Sequence, residues 1–289
     1  MSFSRDVKAE LFEIIPKSRH CQLAELAGII TSVAKASEVD KNGLLTQLQM
    51  DDNISRKGFT LLNKTLNIRD SVMSLNEDDY IEVKKMLQLS EDMHTVDEIL
   101  IQQPCCKRSF IRGAFEVSGS ISDPNKGYHF EIVCNAKAQA QQLLSTIKFF
   151  DLDPKMVERN GKYVVYLKEG AQIVEMLRVM GAAHSVMDLE NIRIVKEVRG
   201  TINRKVNCET ANISKTVNAA VRQIEDIRLI DQELGLYNLP DQLQEIAEIR
   251  LTHPDTPLGD LGQYLDPPIG KSGVNHRLKK LSTIAESLR

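Results

Sequence analysis

Hydrophobic positions along the chain recur mostly at helical spacing, and strand-like alternation is confined to a few short runs. Residues 23–34, LAELAGIITSVA, have the period of a helix but put small residues where a helix ordinarily packs with leucine. An Ala27-Gly28 pair inside a helix costs about 1 kcal/mol relative to alanine alone, so another backbone is expected to approach Gly28 closely. YHFEIVC (128–134) alternates bulky and polar residues as a strand does, and KMVER (155–159) and KYVVYLK (162–168) flank the turn signal Asn160-Gly161. AQIVEMLRVMG (171–181) returns to helical spacing and stops at Gly181.

The pattern around Gly28 occurs twice. CKRSFIRGAFEVSGS (106–120) places Gly113 85 positions after Gly28, and Cys106 stands 85 positions after Cys21. A strand follows each glycine helix, LLTQLQM (44–50) in the first copy and 128–134 in the second, and then a helix, NISRKGFTLLNKTL (53–66) and NAKAQAQQLLSTIKFF (135–150). YIEVKKM (80–86) reads as a further strand of the first copy. The repeats span about 20–100 and 105–181 of a domain over 1–195, with Gly28 and Gly113 as the expected interface between the two opening helices.

Beyond this domain, KEVRGTINRKVNCET (196–210) has the character of a basic linker or exposed ribbon, and 211–289 is helical throughout. Val217, Ala220, Val221, Ile224, Ile227 and Leu234 form the apolar face of a long helix. PDQLQEIAEIRLT (240–252) follows, with Pro240 at a first helical position. TPLGDLGQYL (256–265) then offers Thr256 as N-cap and Pro257 as first helical residue. After the break DPPIG (266–270), KSGVNHRLKKLSTIAESL (271–288) carries Val274, Leu278, Leu281 and Ala285 on one stripe. At 100° per residue the opposite face holds Ser272, His276 and Lys279, flanked by Asn275 and Lys280.

Two short helices around a tight break, the second basic, form a helix-turn-helix pattern at about 255–289. The alternative for that basic face is a solvated surface capping a protein-binding module. Ser272, Asn275, His276, Arg277, Lys279 and Lys280 are residue types that touch base edges and phosphates, and Arg204, Lys205 and Lys215 are expected to add phosphate contacts.

Charge and composition narrow the choice. The 289 residues suffice for about two domains, and 42% hydrophobic with 27% charged residues describe a soluble globular chain. A formal net charge of −3 argues against a protein that coats nucleic acid everywhere, yet residues 193–222 hold seven bases against two acids. Residues 241–266 hold six acids against Arg250 alone, and 271–280 hold four bases and His276 with no acid. No apolar run approaches the ~18 residues of a membrane span, and MSFSRDVKAELFEII reads as an amphipathic helix rather than a signal sequence, so a cytoplasmic, nucleoid-associated protein is expected. The five cysteines lack CxxC spacing and are expected to be buried, reduced thiols, with no metal and no cofactor.

Leu26 through Ala34 and Ile111 through Gly119 resemble, without a gap, the name motif of the LAGLIDADG homing endonucleases. The resemblance implies two central helices packed about a pseudo-twofold axis with a saddle-shaped sheet on either side, and a metal-binding acid at the eighth motif position. Val33 and Ser118 stand there instead, so no catalytic residue is expected; Glu116 lies two residues early, about 200° around the helix. NRKVNCETANISKTVNAAVRQIEDIRLI (203–230) and SGVNHRLKKL (272–281) further resemble the WhiA family of bacterial regulators. That resemblance implies an α+β fold, a catalytically silent duplicated LAGLIDADG-like domain followed by an all-α helix-turn-helix domain similar to the promoter-reading domain of sigma factors. It further implies action in transcription linked to sporulation, cell division and chromosome segregation; a monomer that binds double-stranded DNA and meets RNA polymerase, a sigma factor or another regulator is expected. The competing classes are a residual divalent-metal nuclease using Glu116, Asp123 or other carboxylates, and a protein-binding adaptor.

Overall fold

The computed structural model describes residues 2–34, 48, 51–66 and 77–289. They form an α+β chain that divides into two compact units, 1–196 and 197–289.

In the first unit, α1 (Phe3–Phe12), α2 (Arg19–Val33), α3 (Asp52–Leu66) and α4 (Glu77–Met86) precede α5 (Pro104–Ser118). Then come β1 (Gly119–Ile121), β2 (Phe130–Cys134), α6 (Lys137–Lys148), β3 (Lys155–Arg159), β4 (Lys162–Leu167) and α7 (Gly170–Met180). The central helix α2 is buried on every side from Cys21 to Val33, which is why its sequence shows no polar stripe. It crosses α5 at their glycines. A Cβ on Gly28 would stand 2.2 Å from the carbonyl oxygen of Phe110, and one on Gly113 would stand 2.3 Å from that of Glu25. Since Phe110 lies 85 residues after Glu25, as Gly113 does after Gly28, the two contacts exchange under a pseudo-twofold axis.

The sheet is antiparallel, in the order β1-β2-β4-β3, with Gly119 opposite Ile132, Ile132 opposite Val165 and Val165 opposite Met156. Alternation along β2 turns Phe130, Ile132 and Cys134 into the core, where Phe130 stacks on Phe115 of α5 at 5.1 Å between ring centres. Asn160 (φ 52°) and Gly161 (φ 73°) both take the left-handed conformation that a two-residue hairpin turn requires. Gly181 (φ 93°) ends α7 the same way, its N–H donating to the carbonyl of Leu177 at 2.9 Å.

Several expectations are corrected. YIEVKKM is helical, within α4: Tyr80, Val83 and Leu87 are buried, a spacing of three and four that serves a helix face rather than alternate strand positions. The strand expected at 44–50 lies outside the described residues except for Leu48, which is helical and buried. Residues 196–210 are neither linker nor ribbon but part of α8 (Ala183–Glu233), which contains no proline, and the boundary between the units falls inside that helix. Of the apolar face expected there, Ala220 and Ile227 are buried together with Ile230, whereas Val217, Val221 and Leu234 are exposed. The thiols divide as well: Cys21, Cys106 and Cys134 are buried, while Cys105 and Cys208 are exposed.

The second unit packs the end of α8 with α9 (Asp241–Thr252), α10 (Leu258–Leu261) and α11 (Lys271–Leu288). Its own core joins Ile227, Ile230, Leu243, Ile246, Leu261, Val274, Leu278 and Leu281. Pro240 and Pro257 sit one position earlier than expected, as the extended residues just before α9 and α10 rather than their first helical residues.

Candidate nucleic-acid interface

The turn between α10 and α11 is closed by backbone. After a 3-10 turn at Gly262–Tyr264 the chain doubles back so that the Ile269 N–H donates to the Gly262 carbonyl at 3.1 Å. A Cβ on Gly262 would lie 2.1 Å from the Ile269 carbonyl oxygen, so only glycine admits this path. Arg250 braces the other side. It is buried, with Nε donating to Gln223 Oε1 at 3.0 Å and Nη1 to the Thr256 carbonyl at 2.8 Å, which fixes the entry to α10 against α8. Sequence reasoning did not assign it a role, although it is the lone base among six acids in 241–266.

On α11, Val274, Leu278, Leu281 and Ala285 are sealed in the core. Ser272, Asn275, His276, Lys279 and Lys280 are exposed on the other face. Asn275 and Lys279 border a hollow of about 640 Å³ with Arg222, Gln223 and Asp226 of α8. His276 and Lys280 border another of about 500 Å³ beside Pro240 and Asp241. Arg277 differs from these neighbours: its Nη1 lies 3.4 Å from both Glu245 Oε2 and the Gln242 carbonyl, tying α11 to α9.

Arg204, Lys205 and Lys215 are all exposed on α8. Eleven and eighteen residues are close to three and five whole turns, so Arg204, Lys215 and Arg222 share one face, with Lys205 about 100° away. That row ends at the hollow bordered by Asn275 and Lys279.

In the first unit, the two positions that would carry motif acids hold no carboxylate. Val33 is buried, and Ser118 turns its hydroxyl back to the Ala114 carbonyl at 3.3 Å. Glu116 is buried in a cluster that the sequence did not reveal. Lys57 Nζ bridges Glu116 and Glu25, the latter at 2.6 Å, and donates to the Leu11 carbonyl at 2.9 Å. Arg112 donates from Nε to Glu25 Oε1 at 3.0 Å and from Nη1 to the Met180 carbonyl at 3.0 Å. Two acids thus face two bases, and burial pushes the Glu116 carboxyl up to about 8 against the opposing pull of Lys57. Glu25 and Arg112 are legible only as charged residues inside otherwise small-residue helices, and nothing local marks Lys57 as their partner. Asp123 is exposed and accepts the Asn125 N–H at 2.9 Å, a turn contact that holds its carboxyl below the usual range. Of the carboxylates singled out for the nuclease alternative, Glu116 is held in the core by Lys57 and Asp123 is held by its own turn.

No described helix is long and apolar enough to cross a membrane. Family models match both parts of the chain: the WhiA LAGLIDADG-like domain over residues 107–199 and the WhiA C-terminal HTH domain over residues 202–285. The first of these covers the second repeat, where all four described strands lie. A protein named "Probable cell division protein WhiA" from Lachnoclostridium phytofermentans is 45% identical over 312 residues, covering 100% of both chains. One of the same name from Clostridium beijerinckii is 42% identical, covering 100% of this chain and 99% of its own. The crystal structure of full-length DUF199/WhiA from Thermatoga maritima is similar at a TM-score of 0.56 and 25% identity, covering 99% of each chain. With identity of this order running from end to end, and with both a LAGLIDADG-like domain and a DNA-binding type of helix-turn-helix domain, the chain belongs to the WhiA family.

Proposed function

We propose that this protein is a non-enzymatic, sequence-specific DNA-binding regulator of transcription, active in cell division and, with it, in chromosome segregation and sporulation. The observation that supports this best is the split of α11 into a sealed apolar stripe and an exposed face carrying Ser272, Asn275, His276, Lys279 and Lys280. Asparagine and histidine present donors and acceptors that match base edges, and the lysines neutralise phosphates. The row Arg204, Lys215 and Arg222, with Lys205 at its side, extends phosphate contact along α8. Arg277 contributes by holding α11 on α9. The place in cell division rests on the names of the relatives. RNA polymerase, a sigma factor or another regulator is the partner class, and the protein acts as a monomer on the nucleoid. Val33 and Ser118, with Glu116 neutralised inside the core, support a silent nuclease-like domain.

The test is a map of sites bound across the genome by the full chain and by a variant with Ser272, Asn275, His276 and Lys279 changed to alanine. Discrete sites lost in the variant are expected. An unchanged map would discard α11 as the reader and leave the adaptor reading.

A further inference from the structure

The first turns of α2 and α5 bring together four side chains, two at the margin of the core and two exposed, that the DNA face does not use. His20 and Cys21 come from α2, Cys105 and Cys106 from α5, each pair 85 residues from its counterpart across the pseudo-twofold axis. His20 Nδ1 lies 3.1 Å from Cys106 Sγ, 3.4 Å from Cys21 Sγ and 4.0 Å from Cys105 Sγ, and all four atoms lie within 4.8 Å of one another. Three thiols and an imidazole converging from two helices exceed what packing explains. Cys134 shows the ordinary case, a thiol alone in the core, pushed up to about 12 by burial. Cys105 and His20 are exposed, so they contribute no core volume.

We propose that His20, Cys21, Cys105 and Cys106 form a tetrahedral Cys3His site for zinc, a structural clip that joins the N-terminal ends of the two motif helices. Zinc takes sulfur at about 2.3 Å and nitrogen at about 2.1 Å, which sets tetrahedral edges of about 3.8 Å between sulfurs and about 3.6 Å from sulfur to nitrogen. The observed spacing reaches those edges through side-chain shifts of under about 1 Å. Three thiols lose their protons to solvent as the ion binds; three thiolates, a neutral imidazole and Zn2+ leave one net negative charge. That charge falls at the positive ends of α2 and α5, whose preceding residues, Ser18 and Gln103, make no side-chain cap. Four protein ligands close the coordination sphere, and the site sits at the opposite end of the motif helices from Val33 and Ser118, so the ion is structural and not catalytic. Because each thiol gives up a proton when it binds the ion, zinc competes with protons at any such site.

The full chain, purified with a phosphine reductant, is assayed for zinc by atomic emission and then titrated with Co2+ after chelation. One zinc per chain is expected, and Co2+ should give the intense visible bands of a tetrahedral thiolate site. Chelation should lower the melting temperature of the first unit. Cys106→Ser lies in the core and risks misfolding, so the deciding variants are the exposed pair His20→Asn and Cys105→Ser. Combined, they should keep the native circular dichroism yet lose stoichiometric metal, whereas Cys208→Ser should keep both. A wild-type chain without stoichiometric zinc, an octahedral Co2+ spectrum, metal retained in the double variant, or a disulfide forming within the cluster under the same reductant would each overturn the site.

Discussion

A methyl group on Gly28 would have to share space with the Phe110 carbonyl oxygen 2.2 Å away and the Ala114 nitrogen 3.1 Å away, backbone atoms that cannot swing aside. Gly28→Ala should therefore destabilise the chain by about 1 to 3 kcal/mol, and Gly28→Leu by more, although each gains about 1 kcal/mol in helix propensity. Gly200→Ala is the control. Its Cβ would meet nothing nearer than a flexible arginine tip at 3.4 Å, so urea unfolding should show stabilisation by about 0.5 to 1 kcal/mol. Unchanged stability in Gly28→Ala would show that α2 and α5 do not meet there. In the buried charge cluster, Lys57→Met strands Glu25 and Glu116 with Arg112 alone and should cost about 3 to 5 kcal/mol. Adding Glu116→Gln should recover most of that loss. A double-mutant cycle without coupling would refute the bridge. None of this was legible in the sequence beyond the glycine pair, because Lys57 reaches Glu116 across 59 positions.

Among the elements, α11 was the most legible. Val274, Leu278, Leu281 and Ala285 repeat at the helical period, and the same four residues are buried. Its exposed face gives a pair of predictions. Lys280→Ala, the loss of a flexible point charge, should weaken binding to all duplexes alike and make the salt dependence shallower by about one unit of slope. Asn275→Ala should relax preference at one base position, by about 1 to 3 kcal/mol, with little change in slope. Titrations on a specific and a scrambled duplex at several salt concentrations separate the two; identical behaviour would deny Asn275 a base contact. The less legible elements failed for identifiable reasons. In α4 the short run 80–86 shows too few turns for its period to declare itself, and Val83 and Leu87 became a helix face only against the core. On α8 the apolar residues Val217 and Val221 follow the helical period but meet no described core, so periodicity there did not report burial.

At the scale of the whole molecule, each unit has its own core, so damage should stay local. Leu278→Ala, in the core of the second unit, should cost about 2 to 5 kcal/mol, abolish DNA binding and leave the first unit's melting unchanged in calorimetry. A shift of every transition together would show that the units fold as one. The purified chain should not cut DNA with magnesium or manganese, since Val33 and Ser118 offer no oxygen ligand of the kind a two-metal displacement needs. Metal-dependent nicking that survives stringent purification and disappears in Glu116→Ala would reverse that conclusion.

The sequence by itself determined the duplication, the need for a close partner at Gly28, three of the four strands and the turn of the second repeat, the stripe on α11 and the lack of motif acids; the short β1 it did not mark. Each is written in local spacing or in residue identity at one position. Tertiary structure alone decided that Lys57 bridges two carboxylates, that Arg250 braces α10, that 196–210 is helical and that His20 joins three sulfurs. These depend on side chains brought together from dozens of positions apart, or, for 196–210, on which of several allowed conformations the surrounding chain selects. A local pattern records the period of an element and the residue at each position; it carries no record of the partner that folding places opposite.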